Sequence, residues 1–276
     1  MGLFREFVVL DTETTGYPPG CRLVEIGALK VRGRNVVDRF SSLVFPEAPI
    51  PPAVVRIHGI DDEAVREAPS AKEVLPEFLA WCGALPLLAH NAAFDAAVIG
   101  AECARIGVRP GENRVFCTLR ASRRLWKGPD HSLEGLVRDL GLREGLHHRA
   151  LEDAGHALHL FWKLAELEEA PRTAPLGGFL GPGRLLTDFL PVPPRLPASK
   201  RILEEAAAAG EAVRIHYLRP DGRLVPLQVS PRFFFRAGKS VRMEAFCHLA
   251  GFFKHYRLDR ILAAHPCPED PRPLPG

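Results

Sequence analysis

Apolar runs and alternating segments dominate the start of the chain. Phe7–Leu10 is a short apolar run, and both Leu23–Val31 and Val36–Phe45 alternate between apolar and polar positions. Alternation with a period of two is typical of strands, and a short apolar run is typical of a buried strand, so these segments predict three successive strands. Four prolines between residues 46 and 52 then end the pattern.

Apolar positions with helical spacing follow these prolines. Ala71–Trp81 and Phe94–Ile106 have this spacing, and Leu85–Ala89 between them predicts a short buried strand. Gly107 predicts the C-terminal cap of the second helix. Three further segments predict helices: Thr118–Leu125, Ser132–Leu140 and Ala150–Leu167. Strands followed by interleaved helices predict an α/β domain over residues 1–170, in which helices flank a mixed sheet.

Prolines and glycines interrupt the chain after this domain. Residues 171–197 hold seven prolines and four glycines, too many for a helix or a central strand, and predict a linker. Apolar residues within this stretch indicate that part of it packs against a domain. They are Phe179, Leu180, Leu185, Leu186, Phe189 and Leu190.

Residues 198–276 predict a second, mainly-β domain. Lys200–Ala209 has an alanine-rich helical pattern that ends at Gly210. Short strand-like segments with turns between them follow: Val213–Leu218, Leu224–Val229, Phe233–Phe235, Val241–His248 and Phe252–Leu258. This pattern predicts a small β-barrel or sheet.

The composition is that of a folded protein without a membrane segment. The chain has 276 residues, of which 46% are hydrophobic, enough for a packed core. No apolar run approaches the roughly 18 residues that span a bilayer, and charged residues occupy the place of a signal peptide's apolar core. We therefore expect a soluble, cytoplasmic protein with no membrane partner. Six cysteines lie far apart without C-x-x-C spacing, which predicts reduced thiols and no zinc site.

Charge is distributed unevenly along the chain. The net charge is +3, but residues 1–170 carry 20 Lys and Arg against 24 Asp and Glu, whereas residues 171–276 carry 16 against 9. An acidic front and a basic back are consistent with a metal site joined to an anion-binding surface. A basic face that is merely solvated is the alternative.

Two carboxylates stand at the end of the first predicted strand. Asp11 and Glu13 are two residues apart, so both side chains project to the same side of the sheet. Adjacent anions repel each other unless a cation lies between them, which makes the two residues candidate ligands for Mg²⁺ or Mn²⁺. Acidic residues also end many surface strands, so the pair alone does not establish a metal site.

Three motifs, in order, resemble those of the DnaQ-like, or DEDD, exonuclease superfamily. The first is DTETTG at 11–16, the second is LAHNAAFD at 88–95, and the third is HRALEDA at 148–154. They contain the four acidic residues of the superfamily and the histidine of its DEDDh subgroup: Asp11, Glu13, Asp95, Asp153 and His148. The resemblance implies an RNase H-like fold and a 3′→5′ exonuclease similar to the DNA polymerase III epsilon type.

The resemblance also implies a role for each of these residues in phosphodiester hydrolysis with two divalent ions, Mg²⁺ or Mn²⁺. Asp11 would bridge the ions. Glu13 and Asp153 would hold the ion that carries the attacking water, and Asp95 would act on the other through water. His148 would accept the proton of that water. Because five residues within a helix turn two side chains about 140° apart, we expect His148 to precede the helix that carries Asp153.

Substrate contacts are expected at five further positions: Thr14, Thr15, His58, His90 and Asn91. His58 lies in a segment similar to the H-G-I segment that proofreading members place near the terminal nucleotide. Ala53 stands where these members often have a glutamate. The alternative for Thr15 is that, with Gly16, it shapes the turn, and the alternative for His58 is a buried loop histidine. The alternative for His90 and Asn91 is support of Asp95.

Residues 202–264 resemble a WYL domain, a small β-fold often attached to bacterial regulators and nucleic-acid enzymes. The resemblance is carried by RIHY at 214–217, VPL at 225–227 and YRLDRI at 256–261, whereas Val241–Met243 replaces the triplet that names the family. The family implies that basic residues bind nucleic acid or a nucleotide-like ligand, with phenylalanines nearby for stacking. The alternative is a phenylalanine core with a solvated rim of arginines. The candidate residues are Arg214, Arg232, Arg242, Arg257 and Arg260.

The leading function is release of nucleoside monophosphates from a single-stranded 3′ end of DNA, in repair or with a DNA polymerase or repair protein as partner. An RNA exonuclease of the same fold is an alternative, because the motifs do not read the 2′-hydroxyl. Another is a regulatory protein in which the WYL-like domain senses a ligand and the nuclease domain is vestigial. The complete set of acidic residues argues against this last alternative.

Overall fold

The computed structural model describes residues 6–142, 148–169 and 176–267, and the chain divides into two structural units. The first unit ends at Leu190 and the second continues from Pro191. Residues 171–175 of the predicted linker lie outside the described residues. None of the helices within the described ranges is long and apolar enough to span a membrane.

A mixed six-stranded sheet forms the centre of the first unit. Its strands are β1 (Glu6–Thr14), β2 (Leu23–Arg32), β3 (Asn35–Leu43), β4 (Leu87–Ala89), β5 (Arg114–Cys117) and β6 (Arg184–Leu185). The spatial order is β3-β2-β1-β4-β5-β6. The pairs β1–β4 and β4–β5 are parallel and the others antiparallel. The predicted mixed sheet is therefore confirmed.

Helices cover both faces of this sheet. They are α1 (Pro52–His58), α2 (Ala71–Cys82), α3 (Ala93–Ile106), α4 (Thr118–Leu125), α5 (Leu133–Asp139), α6 (Ala150–Leu167) and α7 (Leu176–Leu180). The predicted helices from α2 to α6 are confirmed, and Gly107 caps α3 with a left-handed φ of 70°. Helix α1 was not predicted, because prolines suggested a break. Pro52 occupies the first helical position, where the missing N–H is not needed.

Residues of β1 supply both hydrophobic cores of the first unit. Val8 and Leu10 pack into one cluster with residues such as Phe78 of α2, whereas Phe7 and Val9 pack into the other with residues such as Phe161 of α6. Covering on both faces explains why Phe7–Leu10 is continuously apolar rather than alternating. Contacts on both faces therefore hold β1 in place as far as Leu10, the residue before Asp11.

Part of the predicted linker packs into these cores, as its apolar residues indicated. Leu176, Phe179 and Leu180 of α7 are buried in the cluster that contains Phe161. Leu186 is buried in the opposite cluster. Residues 176–190 thus contribute to the packing of the first unit.

The second unit consists of one helix and an antiparallel sheet. The elements are α8 (Arg201–Ala209), β7 (Val213–Leu218), β8 (Leu224–Ala237), β9 (Ser240–Cys247), β10 (Phe252–Arg257) and β11 (Ile261–Pro266), with the strands in the order β10-β9-β8-β7-β11. The predicted mainly-β domain is confirmed, with two corrections. The segments 224–229 and 233–235 belong to one strand whose register shifts after Pro231, and β11 was not predicted. Pro231 lies next to this irregularity, where a proline is tolerated within a strand.

Candidate active site

Strand β1 places Asp11 and Glu13 on the sheet, both partly buried. In the pairing with β2, Asp11 lies opposite Gly27 and Glu13 lies opposite Glu25. Glu13 therefore faces another carboxylate directly across the ladder, an arrangement that is unfavourable without compensating charge.

Helix α3 brings Asp95 to this point from its first turn. The Asp95 side chain is 3% exposed, and its Oδ1 accepts a hydrogen bond of 2.8 Å from the Thr12 hydroxyl of β1. The contact joins two motifs that are 83 residues apart in the sequence. Asp95 is thus fixed beside Asp11 and Glu13 without being exposed to solvent.

Helix α6 brings Asp153 to the same site, and the first turn of this helix lies directly on β2. A Cβ atom added to Gly27 would come within 2.1 Å of the backbone N of Leu151, so a glycine is required for this approach. Asp153 Oδ2 accepts a 2.8 Å hydrogen bond from the backbone N–H of His148, and Asp153 Oδ1 lies 3.2 Å from Nδ1 of the buried His156.

His148 precedes α6, as the five-residue spacing to Asp153 requires. Its backbone is left-handed, with a φ of 63°, and its side chain is exposed. One ligand atom each from Glu13, His148 and Asp153 lie within 4.8 Å of one another. The structure therefore gathers side chains from the first and third motifs into a group that could hold a metal ion.

Crowding and burial change the acidity of these carboxyl groups. Burial raises the pKa of Asp11 well above its usual range, and the nearby Asp95 and Asp153 add to the effect. Burial, followed by the charges of Asp153 and Glu25, raises the pKa of Glu13 to about 8. Burial raises the pKa of Asp95 to about 7, although the hydrogen bond from Thr12 opposes it. A divalent cation would offset this repulsion, and carboxylate oxygens are the ligands that Mg²⁺ and Mn²⁺ prefer.

Thr14 and Thr15 form hydrogen bonds within the turn that follows β1. The Thr14 hydroxyl donates to the carbonyl of Gly16 over 2.8 Å. The Thr15 hydroxyl accepts from the backbone N–H of Arg22 over 2.9 Å, and the Thr15 N–H donates to the Arg22 carbonyl. Both hydroxyls therefore shape the turn at the site.

His58 ends α1 and is 5% exposed. Its Nδ1 accepts a 3.0 Å hydrogen bond from the Ile60 N–H. Burial lowers the pKa of His58, whereas the Thr14 backbone and the charge of Glu25 act in the opposite direction. The structure thus places His58 next to the end of β1.

His90 and Asn91 stand between β4 and α3. The two ring nitrogens of His90 lie 3.0 Å from the Thr118 hydroxyl and 2.9 Å from the His131 carbonyl, so protein groups engage both of them. Asn91 is exposed with a φ of 59°, and its carbonyl accepts from the N–H of Phe94. His90 holds α4 and its neighbouring loop beside the helix that carries Asp95.

Four residues at the site were not assigned from the sequence: Thr12, Glu25, Arg149 and His156. Thr12 and His156 hold the carboxylates of Asp95 and Asp153. A signal for Glu25 existed, since it is the charged residue within the otherwise uncharged positions 23–29, all of which are buried. Arg149 carried no such signal, because its partner depends on how α6 lies on the sheet.

The basic candidates of the second unit differ in their surroundings. Arg214 is exposed on β7. Arg232 donates to Glu244 over 2.8 Å and lies 3.4 Å from the centre of the Phe253 ring. Arg257 donates to Asp259 over 2.6 Å. Arg242 and Arg260 are partly buried.

Phe234 of the aromatic run in β8 packs against the hydrophobic cluster of the second unit, and the residues on either side of it are buried. Phe233 and Phe235 are 8% and 2% exposed. Their rings lie 5.6 Å apart, nearly parallel to each other. Because a buried ring is not available to stack on a base, this burial favours the core alternative for Phe233 and Phe235, and their role stays a prediction.

A cavity of about 580 Å³ opens in the second unit, within the size range of ligand pockets. Four basic side chains and one acidic side chain line it among mainly apolar neighbours: Arg195, Lys200, Lys239, Arg257 and Asp259. Lys200 donates to the carbonyl of Ile261, and burial lowers its pKa. In the described part of the chain, Arg195 and Lys239 have no ion-pair partner.

The mixed sheet and the carboxylates gathered at the end of its central strand define a class of protein, a nuclease with an RNase H-like fold. Residues 8–161 match the family model described as Exonuclease, of the RNase T type, and residues 199–266 match the model of the WYL domain. The first match covers more than half of the chain, and the protein belongs to this exonuclease family. The family's 3′→5′ polarity fits the chain, and its members generally use divalent metal ions.

Relatives and solved structures agree with this assignment. The chain is 38% identical over 163 residues to a PolC-type DNA polymerase III of Caldanaerobacter subterraneus, covering 58% of the chain and 12% of that protein. It is 36% identical over 162 residues to the PolC-type polymerase of Thermotoga maritima, again covering 12% of the relative. A structure of Exonuclease X with 5′ overhanging duplex DNA has a TM-score of 0.51 and 28% identity, covering 63% of this chain and 97% of that one. The chain thus spans about an eighth of its polymerase relatives.

Proposed function

We propose that the first unit is a 3′→5′ exonuclease that releases nucleoside monophosphates from DNA with two divalent ions, Mg²⁺ or Mn²⁺. Asp11, Glu13, Asp95 and Asp153 would hold the ions, and His148 would act as general base. The observation that carries the proposal is the convergence of these groups from β1, α3 and α6, with raised pKa values at Asp11, Glu13 and Asp95.

The donor set fits hard divalent cations. Its carboxylates are crowded, two of them are nearly buried, and their mutual repulsion is relieved by added positive charge. When bound, two such ions supply an activated water and stabilise charge on the leaving 3′ oxygen. The chain's own groups orient this chemistry. Thr12 holds Asp95, and His156 and the N–H of His148 hold Asp153.

His148 supports the proposal by its position. Its side chain is exposed and stands beside Glu13 and Asp153, where it can accept a proton from an attacking water and pass it to solvent. Imidazole is suited to this step because its ordinary pKa lies near neutrality. His58 and the turn of Thr14 and Thr15 lie next to the same carboxylates and would contact the terminal nucleotide.

DNA is favoured over RNA as the substrate. The polymerase relatives and the Exonuclease X complex are DNA proteins by name, and Exonuclease X is 28% identical to this chain. Structures of a histone mRNA 3′-exonuclease and of exonuclease I are 15% and 19% identical, so they support the fold alone. Partnership with a polymerase or a repair protein stays a prediction.

The test is a comparison of 3′-labelled single-stranded DNA, mismatched duplex DNA and RNA, each with Mg²⁺ or Mn²⁺. We expect mononucleotides from DNA, and loss of release in Asp11→Ala and Asp153→Ala variants. Asp188→Ala is the matched control, because the Asp188 carboxylate is exposed and does not belong to the site carboxylates. Full activity of the Asp153→Ala variant would refute the assignment, and faster cleavage of RNA would favour the RNA alternative.

For the second unit we propose binding of a phosphate-bearing ligand, namely the nucleic-acid strand. Support comes from the cavity lined by Arg195, Lys200, Lys239 and Arg257, which carries more positive than negative charge. Arg195 and Lys239 would be the main phosphate contacts, since Lys200 and Arg257 already bond within the protein. Such contacts give salt-dependent affinity without sequence preference.

Binding of a labelled single strand by the full chain without divalent metal tests this role. An Arg195→Glu/Lys239→Glu variant should bind more weakly and with a smaller dependence on salt. Arg223→Glu, which reverses an exposed arginine paired with Asp221, is the control. Unchanged affinity and unchanged salt dependence of the double variant would show that the cavity does not hold the strand.

A further inference from the structure

We propose that Glu25 is a positioning residue, which acts together with Arg149 to hold His148 against Glu13 and Asp153. This inference rests on the proposed function, in which His148 is the general base. It assigns a role to a buried carboxylate outside the four motif carboxylates.

Glu25 is a charged residue in the centre of the buried part of β2, and its side chain is 3% exposed. Protein donors occupy both of its oxygens. Oε1 accepts from Arg149 Nη2 over 2.7 Å, and Arg149 Nε lies 3.2 Å from each oxygen. A buried carboxylate bound in this two-point manner is fixed in both position and orientation.

Glu25 also caps the start of α6 from a different element. Its Oε2 accepts a 2.9 Å hydrogen bond from the backbone N–H of Ala150, the first residue of the helix. The first N–H groups of a helix lack partners within it, and a negative charge is favourable there. Arg149 at the cap position makes no side-chain capping bond. The sheet therefore provides, through Glu25, a cap that the helix sequence lacks.

Gly27 makes the close approach of the start of α6 to β2 sterically possible. It is two residues from Glu25 and so lies on the same face of β2. The missing side chain allows the backbone of Leu151 to lie against the strand. Glu25 and Gly27 thus bind the residues immediately after His148 to the sheet, one by hydrogen bonds and the other by close contact.

His148 needs such a constraint because burial does not supply it. The side chain is exposed, and the left-handed backbone at φ 63° is one that residues with a Cβ adopt when their surroundings impose it. The N–H of His148 bonds to Asp153, and the next residue, Arg149, is held by Glu25. Both ends of the short segment are therefore fixed, which fixes the backbone position from which the imidazole projects.

Glu25 is a positioning residue rather than a further metal ligand. Its two oxygens already accept from Arg149 and from Ala150, whereas a metal ligand would need a free lone pair directed at the ion. Removing its charge should therefore impair the proton transfer. It should not weaken metal binding, because the charge of Glu25 raises the pKa of Glu13 and so opposes the ionised form that binds the ion. The Arg149 side chain is 49% exposed, so its charge stays solvated after such a change.

The experiment compares Glu25→Gln, His148→Ala and the double variant of the full chain, with Glu152→Gln as control. Glu152 lies in the same first turn of α6 but is exposed. We expect Glu25→Gln to lower kcat for nucleotide release about tenfold to a hundredfold, which is less than the complete loss of a general base, worth about 10²- to 10⁴-fold, would cost. KM should change less than about twofold, and Mn²⁺ affinity should not fall by more than about twofold, since neither rests on the base. The double variant should be no slower than His148→Ala, because coupled residues are not additive.

A pH profile adds a readout that a purely structural role would not move. The deficit of the Glu25→Gln variant should narrow above neutral pH, where hydroxide replaces a water that needs a base. Arg149→Lys, which keeps the charge but loses the two-point geometry, should show a smaller deficit of the same kind. This second variant decides the matter if Glu25→Gln fails to fold.

Each other outcome has a distinct meaning. Unchanged kcat in Glu25→Gln alongside a large loss in His148→Ala overturns the positioning role and leaves the proposed function intact. Full activity of His148→Ala overturns the general base and, with it, the positioning role. Loss of Mn²⁺ affinity in Glu25→Gln, or an additive loss in the double variant, overturns the inference by showing that Glu25 acts independently of His148.

Discussion

Gly27 of β2 lies directly beneath Leu151 of α6, so close that a Cβ atom on Gly27 would come within 2.1 Å of the Leu151 backbone N. The contact brings Asp153 over Asp11, which is opposite Gly27 in the sheet. The distance between two motifs therefore depends on the absence of one side chain.

We predict that Gly27→Ala moves α6 away from the sheet. The neighbouring atoms belong to the Leu151 backbone and cannot rotate aside, so the variant should lose about 1–3 kcal/mol of unfolding free energy or more. Nucleotide release should fall even under conditions where the variant is still folded. Gly155→Ala in the same helix is the control, since an added Cβ there meets nothing within 4 Å, and it should stabilise by about 1 kcal/mol. Urea unfolding and nucleotide release measure both effects. Normal activity in Gly27→Ala would show that the close contact between α6 and β2 is not needed.

Thr12 provides a second prediction, at Asp95. Its hydroxyl lowers the pKa of Asp95 against the effect of burial. Thr12→Val should raise that pKa further, so that a larger fraction of Asp95 is protonated at pH 7 and activity and Mn²⁺ affinity fall. Both should recover as pH rises toward 9. Thr12→Ser retains the hydroxyl and should behave like the wild type. A Thr12→Val deficit that is independent of pH would point to packing instead.

The sequence predicted the carboxylates because each motif is contiguous. DTETTG, LAHNAAFD and HRALEDA carry their own local pattern, and the strands and helices around them have clear periodicity. Asp11, Asp95 and Asp153 could therefore be named before their proximity was known.

Residues whose role depends on three-dimensional pairing could not be named in this way. Glu25 and Arg149 are 124 residues apart in the sequence, and they meet only because of the strand register and the close contact of α6 with Gly27. The position of a proline also did not determine its structural role. Pro52 begins α1 rather than breaking it, and Pro231 lies within β8 at a shift of register. Proline limits hydrogen bonding at its own position, but the surrounding structure decides whether that bond is needed.

Glu102 provides a third prediction, concerning stability. It is fully buried in α3, and its Oε1 accepts from Arg22 Nε over 2.8 Å and from the Leu23 N–H over 3.1 Å. Arg105, one turn away, lies 3.4 Å from the same oxygen. The group ties the turn after β1 to α3. Glu102→Ala would leave the buried arginines without their carboxylate, which should cost about 3–5 kcal/mol.

Thermal and urea unfolding of Glu102→Ala, with the exposed Glu112→Ala as control, measure this cost. Because Arg22 also pairs with Thr15 through its backbone, the variant should have a mobile turn and a higher KM. A loss below about 1 kcal/mol, the range of surface ion pairs, would mean that the buried network contributes little.

The last prediction concerns the pH dependence of the metal-free protein. A carboxyl group whose pKa is raised on folding binds its proton more tightly in the folded state. It favours the folded state at low pH, and this contribution is lost as pH rises through the folded pKa. Glu13, with a pKa of about 8, and Asp95, with a pKa of about 7, both behave in this way. Between pH 5 and pH 8, the metal-free protein should therefore lose stability through these groups.

Divalent metal should reverse this trend, because the ion binds the ionised carboxylates of the folded state. Mn²⁺ at about 100 times its Kd at pH 8 adds about 2.7 kcal/mol at that pH. The same concentration should add less at lower pH, where binding displaces more protons. Tm measured from pH 5 to 8, with EDTA and with Mn²⁺, tests both statements. A Glu13→Gln variant should have a flatter metal-free profile and a smaller response to Mn²⁺. If wild type and variant instead gave parallel profiles, Glu13 would not be the titrating group, and the repulsion among the carboxylates would lie elsewhere in the cluster.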